Sequence, residues 1–297
     1  MALQKLLKVT DLSSENFEAE LQERINSQLN SYLNLNSQIE EAIKFALTAP
    51  GKRVRPTLIY LVGDIYNVSL ERLDSLALAS EIIHTYSLVH DDLPCMDDDD
   101  LRRGQPTLHK KYSESTAVLA GDAMQSLAIQ IILEDINLSD ELKVSIVKLL
   151  MKNIGYEGMI LGQAQDISFE QKTVNKQEII QMNYLKTGLL IEFCILAPLI
   201  IANKLDDEWN IISRNIGIAF QLIDDLLDLE ESKESLGKAT NKDHSKNKKN
   251  LPLILGRLET INEVKKLHDK TMESFSKLSL NNHPLMIYVE NLFNRRN

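Results

Sequence analysis

The sequence predicts an all-α fold, and both its composition and its apolar spacing support this prediction. Hydrophobic residues make up 43% of the 297 residues and aromatic residues only 5%, with 11 glycines and 7 prolines. This composition suits long aliphatic helices better than turn-rich sheets. Apolar residues recur three and four positions apart, and the alternation typical of strands is almost absent. Because no Gly-, Pro- or Ser-rich linker divides the chain, we expect a single domain over residues 1–297.

Two amphipathic helices are predicted near the start of the chain. Their apolar residues are Phe17, Leu21, Ile25 and Leu29 in the first and Ile39, Ile43 and Leu47 in the second. A Pro-Gly pair at residues 50–51 ends this pattern, and Pro56 is tolerated in the first turn of a third helix. The basic residues Lys52, Arg53 and Arg55 therefore lie at a helix entrance.

A long helix is predicted after Ser69, which is expected to act as its N-cap. This helix continues to about Asp92, because Pro94 interrupts the helical pattern. Asp91 and Asp92 would then close the helix. Further segments are predicted as helices at about residues 114–134, 140–153, 156–167, 176–202, 207–231, 251–278 and 284–294, and as a lysine-rich loop at 238–249.

Charge and cysteine content limit the class of protein. A net charge of −10 argues against a nucleic-acid partner, because phosphate backbones attract basic surfaces. Cys95 and Cys194 show no paired spacing, so we expect both to be small apolar residues in a reducing cytosol. The start of the chain lacks a signal-peptide pattern, and the most apolar stretch, residues 189–201, contains Glu192 and Pro198. We therefore expect a soluble, cytoplasmic protein with no membrane span.

Two clusters of aspartates, about 130 residues apart in apolar surroundings, carry the strongest chemical signal. They are Asp91, Asp92 and Asp97 in HDDLPCMDDDD and Asp224, Asp225 and Asp228 in QLIDDLLD. Carboxylates at this density repel one another and are costly to desolvate, which implies a neutralising cation. Oxygen ligands suit Mg²⁺, which proteins usually share with the phosphates of a substrate.

The spacing within each cluster leaves alternatives open. Gln221 and the three later aspartates form one polar stripe on an otherwise apolar helix, and such a stripe often simply faces water. The first cluster favours an ion more strongly, because Asp91 lies at a helix C-terminus, where the macrodipole disfavours negative charge. An ideal helix would align Asp98 with Asp91, whereas Asp97 would point elsewhere, but Pro94 disrupts an ideal helix at this point.

Two arginines, Arg102 and Arg103, follow the first cluster directly. Guanidinium groups match phosphate oxygens, so these residues are candidates for binding an anionic substrate. The alternative is a cluster of surface salt bridges with the neighbouring aspartates.

Five motifs together resemble the trans-isoprenyl diphosphate synthases, the family of farnesyl and geranylgeranyl diphosphate synthases. They are GKRVRP, HDDLPCMDDDDLRRG, GQAQD, KTG and FQLIDDLLD, in family order from about residue 52 to 255. The resemblance implies a single-domain all-α isoprenoid synthase fold whose helices surround a deep central cavity, with the aspartate motifs facing each other across its mouth. It also implies Asp97, rather than Asp98, as the partner of Asp91.

The resemblance assigns a role to each candidate site residue. It implies three Mg²⁺ ions, with Asp91, Asp97 and Asp224 as the leading ligands and Asp92, Asp225 and Asp228 as their helpers. Isopentenyl diphosphate would bind to Lys52, Arg55, His84 and Arg103. The allylic diphosphate would contact Arg102, Lys186, Thr187, Gln221 and Lys238. Among these, Lys186, Thr187 and Gln221 are the catalytic candidates, and the family is commonly a homodimer.

The reaction implied is a head-to-tail 1′-4 condensation that gives farnesyl diphosphate and pyrophosphate. Tyr86 lies five residues before Asp91, about 7 Å deeper along a helix, and a bulky aromatic residue near that depth limits elongation in this family. A C15 product is therefore expected, and a C20 product, as in a geranylgeranyl diphosphate synthase, is the alternative. The sequence departs from the family pattern at Pro50, Leu189 and Asn241.

Three other classes of protein were considered. An all-α metal-dependent phosphohydrolase could use His84, His90 and His109 with Asp91, but the second aspartate helix would then have no role. A terpene cyclase would not need the basic pocket for a second diphosphate. A Ca²⁺-binding module is disfavoured, because residues 97–100 lack the alternating ligands and central glycine of an EF-hand loop.

Overall fold

The computed structural model describes residues 14–32, 36–235 and 250–295. Within these residues nearly all regular structure is helical, which confirms the predicted all-α class. Contacts group the chain into two compact units, Met1–Asp135 and Ile136–Asn297. That the two form one domain stays a prediction.

The first unit contains six helices and one short hairpin within the described residues. They are α1 (Ser14–Tyr32), α2 (Gln38–Leu47), α3 (Val54–Ile65), α4 (Asp74–Asp91), β1 (Leu101–Arg102), β2 (Gln105–Pro106), α5 (Leu108–Lys111) and α6 (Glu114–Glu134). The four apolar residues predicted to form one face of α1 are all buried. Helix α4 packs against α3 and α6, so it is the central helix of this unit and is buried along most of its length.

The start of α4 differs from the prediction. Ser69 precedes a 3₁₀ turn, Leu70–Arg72, and its side chain makes no capping hydrogen bond. The N–H of Leu73 donates to the carbonyl of Leu70 at 2.9 Å, and the α-helix begins only at Asp74. The predicted cap was therefore wrong, because the first turn closes as a 3₁₀ turn and satisfies its own backbone groups.

The second unit contains eight α-helices and one π-helical turn within its described part. They are α7 (Asp140–Ile154), α8 (Met159–Phe169), α9 (Lys176–Asn183), the π-helical turn (Tyr184–Gly188), α10 (Leu189–Ala202), α11 (Asp207–Ser235), α12 (Leu251–Leu255), α13 (Arg257–Lys277) and α14 (Pro284–Phe293). Helix α11 packs against α10 and α13. The helix predicted at 251–278 is broken at Gly256, whose φ of +87° lies outside the range of an α-helix.

Two segments, Glu114–Glu134 and Lys176–Ala202, are long and apolar enough to cross a membrane. Their apolar windows are 44% and 72% buried inside the structure. Core helices of soluble proteins have the same length and composition, so this finding gives only weak support for a membrane span. The expected absence of a span stays a prediction.

Candidate active site

The first aspartate motif lies where α4 ends, as the sequence predicted. Asp91 is the last residue of the helix and Asp92 is its C-cap. The following loop turns back, and the N–H of Asp97 donates to the carbonyl of Asp91 at 2.7 Å. The ideal-helix alignment of Asp98 with Asp91 therefore does not occur, because Asp98 takes a left-handed backbone conformation with φ 50°. This reversal brings the backbone of Asp97 into contact with that of Asp91. The role of both residues as metal ligands stays a prediction.

Arg102 neutralises one carboxylate of this motif. Its guanidinium donates to Oδ1 of the buried Asp92 at 2.6 Å. Burial raises the pKa of Asp92, and the hydrogen bond from Arg102 opposes that increase. Arg102 therefore forms the salt bridge that was the alternative to anion binding for the two arginines. Its partner, Asp92, is the C-cap of α4. Arg102 is only half-buried, so part of this residue remains exposed to solvent.

Two basic residues of the predicted isopentenyl diphosphate site, Arg55 and Arg103, lie near His84. The pKa of this half-buried histidine is well below its usual value because of burial and the positive charges of Arg55 and Arg103. Arg103 also donates to the carbonyl of Pro50 at 2.6 Å, which joins the hairpin to the loop that carries Lys52. The structure therefore brings the loop, His84 and the hairpin arginines together within the first unit. A neutral imidazole among guanidinium groups can donate one hydrogen bond to an anion without adding to their mutual repulsion.

The π-helical turn of the second unit presents Lys186. Its Nζ lies 2.6 Å from Oδ2 of Asp166, which belongs to the GQAQD motif on α8. The two helices approach closely because Gly162 has no side chain, and a Cβ at that position would lie 2.2 Å from the backbone nitrogen of Lys186. π-Helical turns inside helices are frequent at functional sites. The sequence alone would have left Lys186 and Asp166 as solvated surface residues.

Hydrogen bonds connect the KTG motif to the second aspartate motif. The hydroxyl of Thr187 donates to Oε1 of Gln221 at 2.8 Å, and Nε2 of Gln221 donates to Oδ1 of Asp225 at 3.0 Å. Nδ2 of Asn183 lies 3.4 Å from the other oxygen of Asp225. These contacts fix the orientation of Gln221, a predicted catalytic residue, between the hydroxyl of Thr187 and the carboxylate of Asp225. Sequence reasoning missed Asn183, which belongs to none of the five motifs.

The second aspartate motif is only partly exposed to water. Burial, followed by the charges of Asp228 and Asp224, raises the pKa of Asp225 to about 6. Asp224 is half-buried, and its Oδ1 lies 2.7 Å from the guanidinium of Arg295. Arg295 also donates to the carbonyl of Phe220 at 2.8 Å. Sequence reasoning missed this arginine too, since nothing in its local sequence indicates a role.

Each unit offers carboxylate oxygens of the kind that Mg²⁺ prefers. Asp91 and Asp97 are half-buried in the first unit, and Asp224 is half-buried in the second. Among residues 14–32, 36–235 and 250–295, no group of three or more His, Cys, Asp or Glu side chains could hold a metal by itself. Mg²⁺ characteristically takes one or two carboxylates together with substrate phosphates and waters. Within the described residues, neither aspartate motif therefore forms a closed metal site by itself.

Three further positions singled out in the sequence are Tyr86, Lys238 and Asn241. Tyr86 is buried in α4, and its ring packs edge-on against that of His90 with centroids 5.6 Å apart. Lys238 and Asn241 lie outside the described residues.

Known proteins are similar to this chain over most of its length. The family model described as polyprenyl synthetase matches residues 36–280. Farnesyl diphosphate synthase of Haemophilus influenzae is 36% identical over 88% of this chain and 93% of the relative. The enzyme of the same name from Micrococcus luteus is 41% identical over 85% and 86%.

A solved structure supports the same relationship. The geranyltransferase of Helicobacter pylori, in complex with magnesium and isoprenyl diphosphate, has a TM-score of 0.79 and 31% identity. The match covers 96% of this chain and 98% of that structure. The family model spans more than half of the chain, and the relatives exceed 30% identity over more than two thirds of it. This chain therefore belongs to the polyprenyl synthetase family.

Proposed function

We propose that this protein is a prenyltransferase that condenses isopentenyl diphosphate with dimethylallyl diphosphate and then with geranyl diphosphate. The products are farnesyl diphosphate and pyrophosphate. The observation that carries this proposal is the 36% and 41% identity to two farnesyl diphosphate synthases across most of each chain. The site geometry supports it, since arginines lie near His84 in the first unit and Lys186 is held by Asp166 of α8 in the second.

Magnesium is proposed as the cofactor, with three ions and with Asp91, Asp97 and Asp224 as their leading ligands. The presence of magnesium with isoprenyl diphosphate in the Helicobacter pylori structure supports this requirement. When bound, the metal would neutralise the diphosphate and make it a better leaving group. Asp92 and Asp225 are proposed to act as helpers, because both are buried and already carry hydrogen bonds. Asp228 would contribute negative charge to the same motif.

The diphosphate of isopentenyl diphosphate is proposed to bind to Lys52, Arg55, His84 and Arg103. Arg103 donates through one nitrogen to Pro50, so its fork is oriented before substrate arrives. Such preorganisation reduces the entropy lost on binding. The neutral His84 adds a hydrogen-bond donor, whereas a protonated histidine would be repelled by its arginine neighbours.

The allylic diphosphate is proposed to contact Arg102, Lys186, Thr187, Gln221 and Lys238. Its C1–O bond breaks, and the bonding electron pair leaves with pyrophosphate, whose charge Lys186 stabilises. Oxygen atoms of Thr187 and Gln221 stabilise the allylic cation, because their mutual hydrogen bond fixes their dipoles before the reaction. The double bond of isopentenyl diphosphate then attacks C1 through C4, and a proton leaves C2 for the departing pyrophosphate.

Tyr86 is proposed to set the length of the product. Its buried ring lies five residues before Asp91 on α4 and packs against His90, which limits its freedom to move aside. A fixed aromatic ring at this depth favours a C15 product. Geranylgeranyl diphosphate is the alternative product if the growing chain passes Tyr86.

The assembly and location are also proposed. A homodimer is supported by Val118, Leu119 and Leu133, apolar residues that α6 leaves exposed. A cytoplasmic location is supported by the two cysteines, since Cys95 and Cys194 form no disulfide with each other. Sedimentation of the purified protein would test the dimer, and a monomer at micromolar concentration would contradict it.

Release of pyrophosphate from purified protein tests the proposed reaction. With Mg²⁺, isopentenyl diphosphate and dimethylallyl diphosphate, we expect pyrophosphate only when both substrates are present. A phosphohydrolase would release monophosphate from either substrate alone. A terpene cyclase would release pyrophosphate from a longer allylic diphosphate without isopentenyl diphosphate, and either result would reject the proposal.

A further inference from the structure

Arg53 has an unusual backbone conformation for an arginine. Its φ and ψ are 49° and 39°, in the left-handed region, and it directly precedes α3. Residues other than glycine, asparagine and aspartate rarely occupy this region, because their Cβ crowds the backbone. Arg53 also makes no side-chain capping hydrogen bond to the helix that it precedes. Its side chain must therefore compensate for this conformation elsewhere.

The guanidinium of Arg53 is buried and bound on several sides. Only 5% of the residue is exposed, and Nη1 lies 2.5 Å from Oε1 of Glu81 on α4, itself 3% exposed. Nε donates to Oδ1 of Asn26 on α1 at 2.9 Å. Nη2 donates to the carbonyls of Leu47 and Ala49, each at 3.0 Å. One side chain thus connects two helices and the end of a third.

These contacts hold the segment 50–53, which we call the Lys52 loop. Arg53 lies between Lys52 and Arg55, two of the cations proposed for isopentenyl diphosphate, and Glu81 lies three residues before His84 on α4. Residues three apart on a helix lie on nearly the same face. The ion pair between Arg53 and Glu81 therefore connects the loop to the helix face that carries the third proposed ligand.

Packing alone leaves the Lys52 loop poorly supported on one side. A cavity of about 240 Å³ borders it and is lined by residues of α1 and by Pro50, Gly51 and Arg53. The other contacts of the loop are polar and come from single side chains. Gln22 donates to the carbonyl of Lys52 at 3.1 Å, and Arg103 donates to that of Pro50 at 2.6 Å. Gly51 permits the second contact, because a Cβ there would lie 2.4 Å from Nη1 of Arg103.

We propose that Arg53 is a positioning residue that sets the distance between the Lys52 loop and His84 through its buried pairing with Glu81, and so determines affinity for isopentenyl diphosphate. This inference rests on the proposed function. Arg53 does not touch the substrate, because its three nitrogens are directed to protein acceptors. Its effect is larger on isopentenyl diphosphate, since the catalytic candidates for the allylic substrate lie in the second unit and only Arg102 of the proposed allylic contacts lies in the first.

Arg53→Lys separates positioning from charge. Lysine keeps the positive charge near the anion site but cannot reproduce the fork that reaches Asn26 and the two carbonyls. We expect KM and Kd for isopentenyl diphosphate to rise about tenfold or more, since one hydrogen bond to a charged group is worth roughly that factor. KM for dimethylallyl diphosphate should change less than about twofold. Arg53→Gly is the second variant, because glycine favours the left-handed backbone, and the same rise is expected in it if the side chain positions the loop.

Arg24→Lys is the matched control. Arg24 on α1 is paired with Asp74 on α4 through a guanidinium fork, in the same unit but at the far end of α4 from Asp91. This variant should lower the thermal unfolding midpoint without changing either KM value. An unchanged affinity in both Arg53 variants, or a parallel rise in both KM values that tracks the midpoint, would overturn the inference alone. If the wild-type protein bound no isopentenyl diphosphate by calorimetry, the inference and the proposed function would both fail.

Discussion

The side-chain nitrogen of Lys186 lies 2.6 Å from Oδ2 of Asp166, and this ion pair joins the KTG and GQAQD motifs. The exposed fractions of the two side chains are 22% and 16%, so water screens the pair only partly. Asp166 therefore limits the positions that the Lys186 ammonium can take. In the proposed reaction, the GQAQD segment would hold this cation for the leaving diphosphate.

Replacing Asp166 with asparagine should reduce turnover. The carboxamide keeps the shape of the side chain but loses the charge that holds Lys186, so kcat should fall by about 10- to 100-fold, the range expected for one hydrogen bond between charged groups. Single-turnover rates with saturating substrates would measure this change.

Lys176→Gln provides the control for this experiment. Lys176 and Glu263 form an ion pair of the same 2.6 Å length in the same unit, with no residue of the five motifs involved. Its loss should leave kcat unchanged. Equal losses in the two variants would show that Asp166 acts only on the stability of the unit.

Removing the proposed metal ligands should abolish condensation. We expect Asp91→Ala and Asp224→Ala each to lower kcat by about 10²-fold or more, because electrostatic stabilisation of the leaving group is a large part of the catalytic effect. Activity of the wild-type protein should also disappear with a chelator and return with Mg²⁺. Asp100→Ala is the control, since Asp100 belongs to the same aspartate run but pairs with Lys110 on the surface. Full activity in both ligand variants would reject the metal assignment.

Tyr86→Ala should lengthen the product beyond C15. Removing the ring opens space on α4 below Asp91, and the growing chain can then extend into it. Mass analysis of the reaction products would detect C20 or longer diphosphates. Leu76→Ala, which also creates a cavity in the core of α4 but lies ten residues away from Tyr86, should still give C15. An unchanged C15 product from Tyr86→Ala would place the limit of elongation elsewhere.

His84 should make stability depend on pH. Burial and the neighbouring arginines lower its pKa in the folded protein well below 6.5, so below that pH the unfolded chain binds a proton that the folded chain does not. Unfolding is therefore favoured as the pH falls. His84→Gln removes this contribution. The difference in free energy of unfolding, variant minus wild type, should therefore increase by up to about 1.4 kcal/mol for each unit that the pH falls below 6.5.

Denaturant titrations at pH 7.5 and 5.5 would measure this difference. Both proteins contain the same remaining titratable groups, so the comparison isolates His84. A difference that stays constant between the two pH values would contradict the neutral histidine.

The helices were predictable because their signals are local. The segment predicted at 140–153 is observed as Asp140–Ile154, and the one at 114–134 is observed as Glu114–Glu134. Errors occurred where one residue changes the backbone, as at Gly256, or where a turn closes as a 3₁₀ turn after Ser69. Apolar spacing measures which face is buried and is insensitive to such single-residue breaks.

The site was only partly predictable for a different reason. Dense carboxylates and the basic trio are visible in the sequence, but the partners of these residues are distant along the chain. Glu81 is 28 residues from Arg53, and Arg295 is more than 70 residues from Asp224, and neither has a local pattern that indicates its partner. Tertiary contacts between single side chains leave no periodic signal in one sequence.

Mass analysis of the product made by the wild-type protein from isopentenyl diphosphate and dimethylallyl diphosphate, with Mg²⁺, tests the central claim most directly. A condensing enzyme with Tyr86 as the limit of its cavity should give geranyl diphosphate as an intermediate and farnesyl diphosphate as the final product. Pyrophosphate should accumulate in a ratio of two per farnesyl chain. A C20 final product would contradict the assigned chain length, and the absence of any elongated diphosphate would contradict prenyl transfer itself.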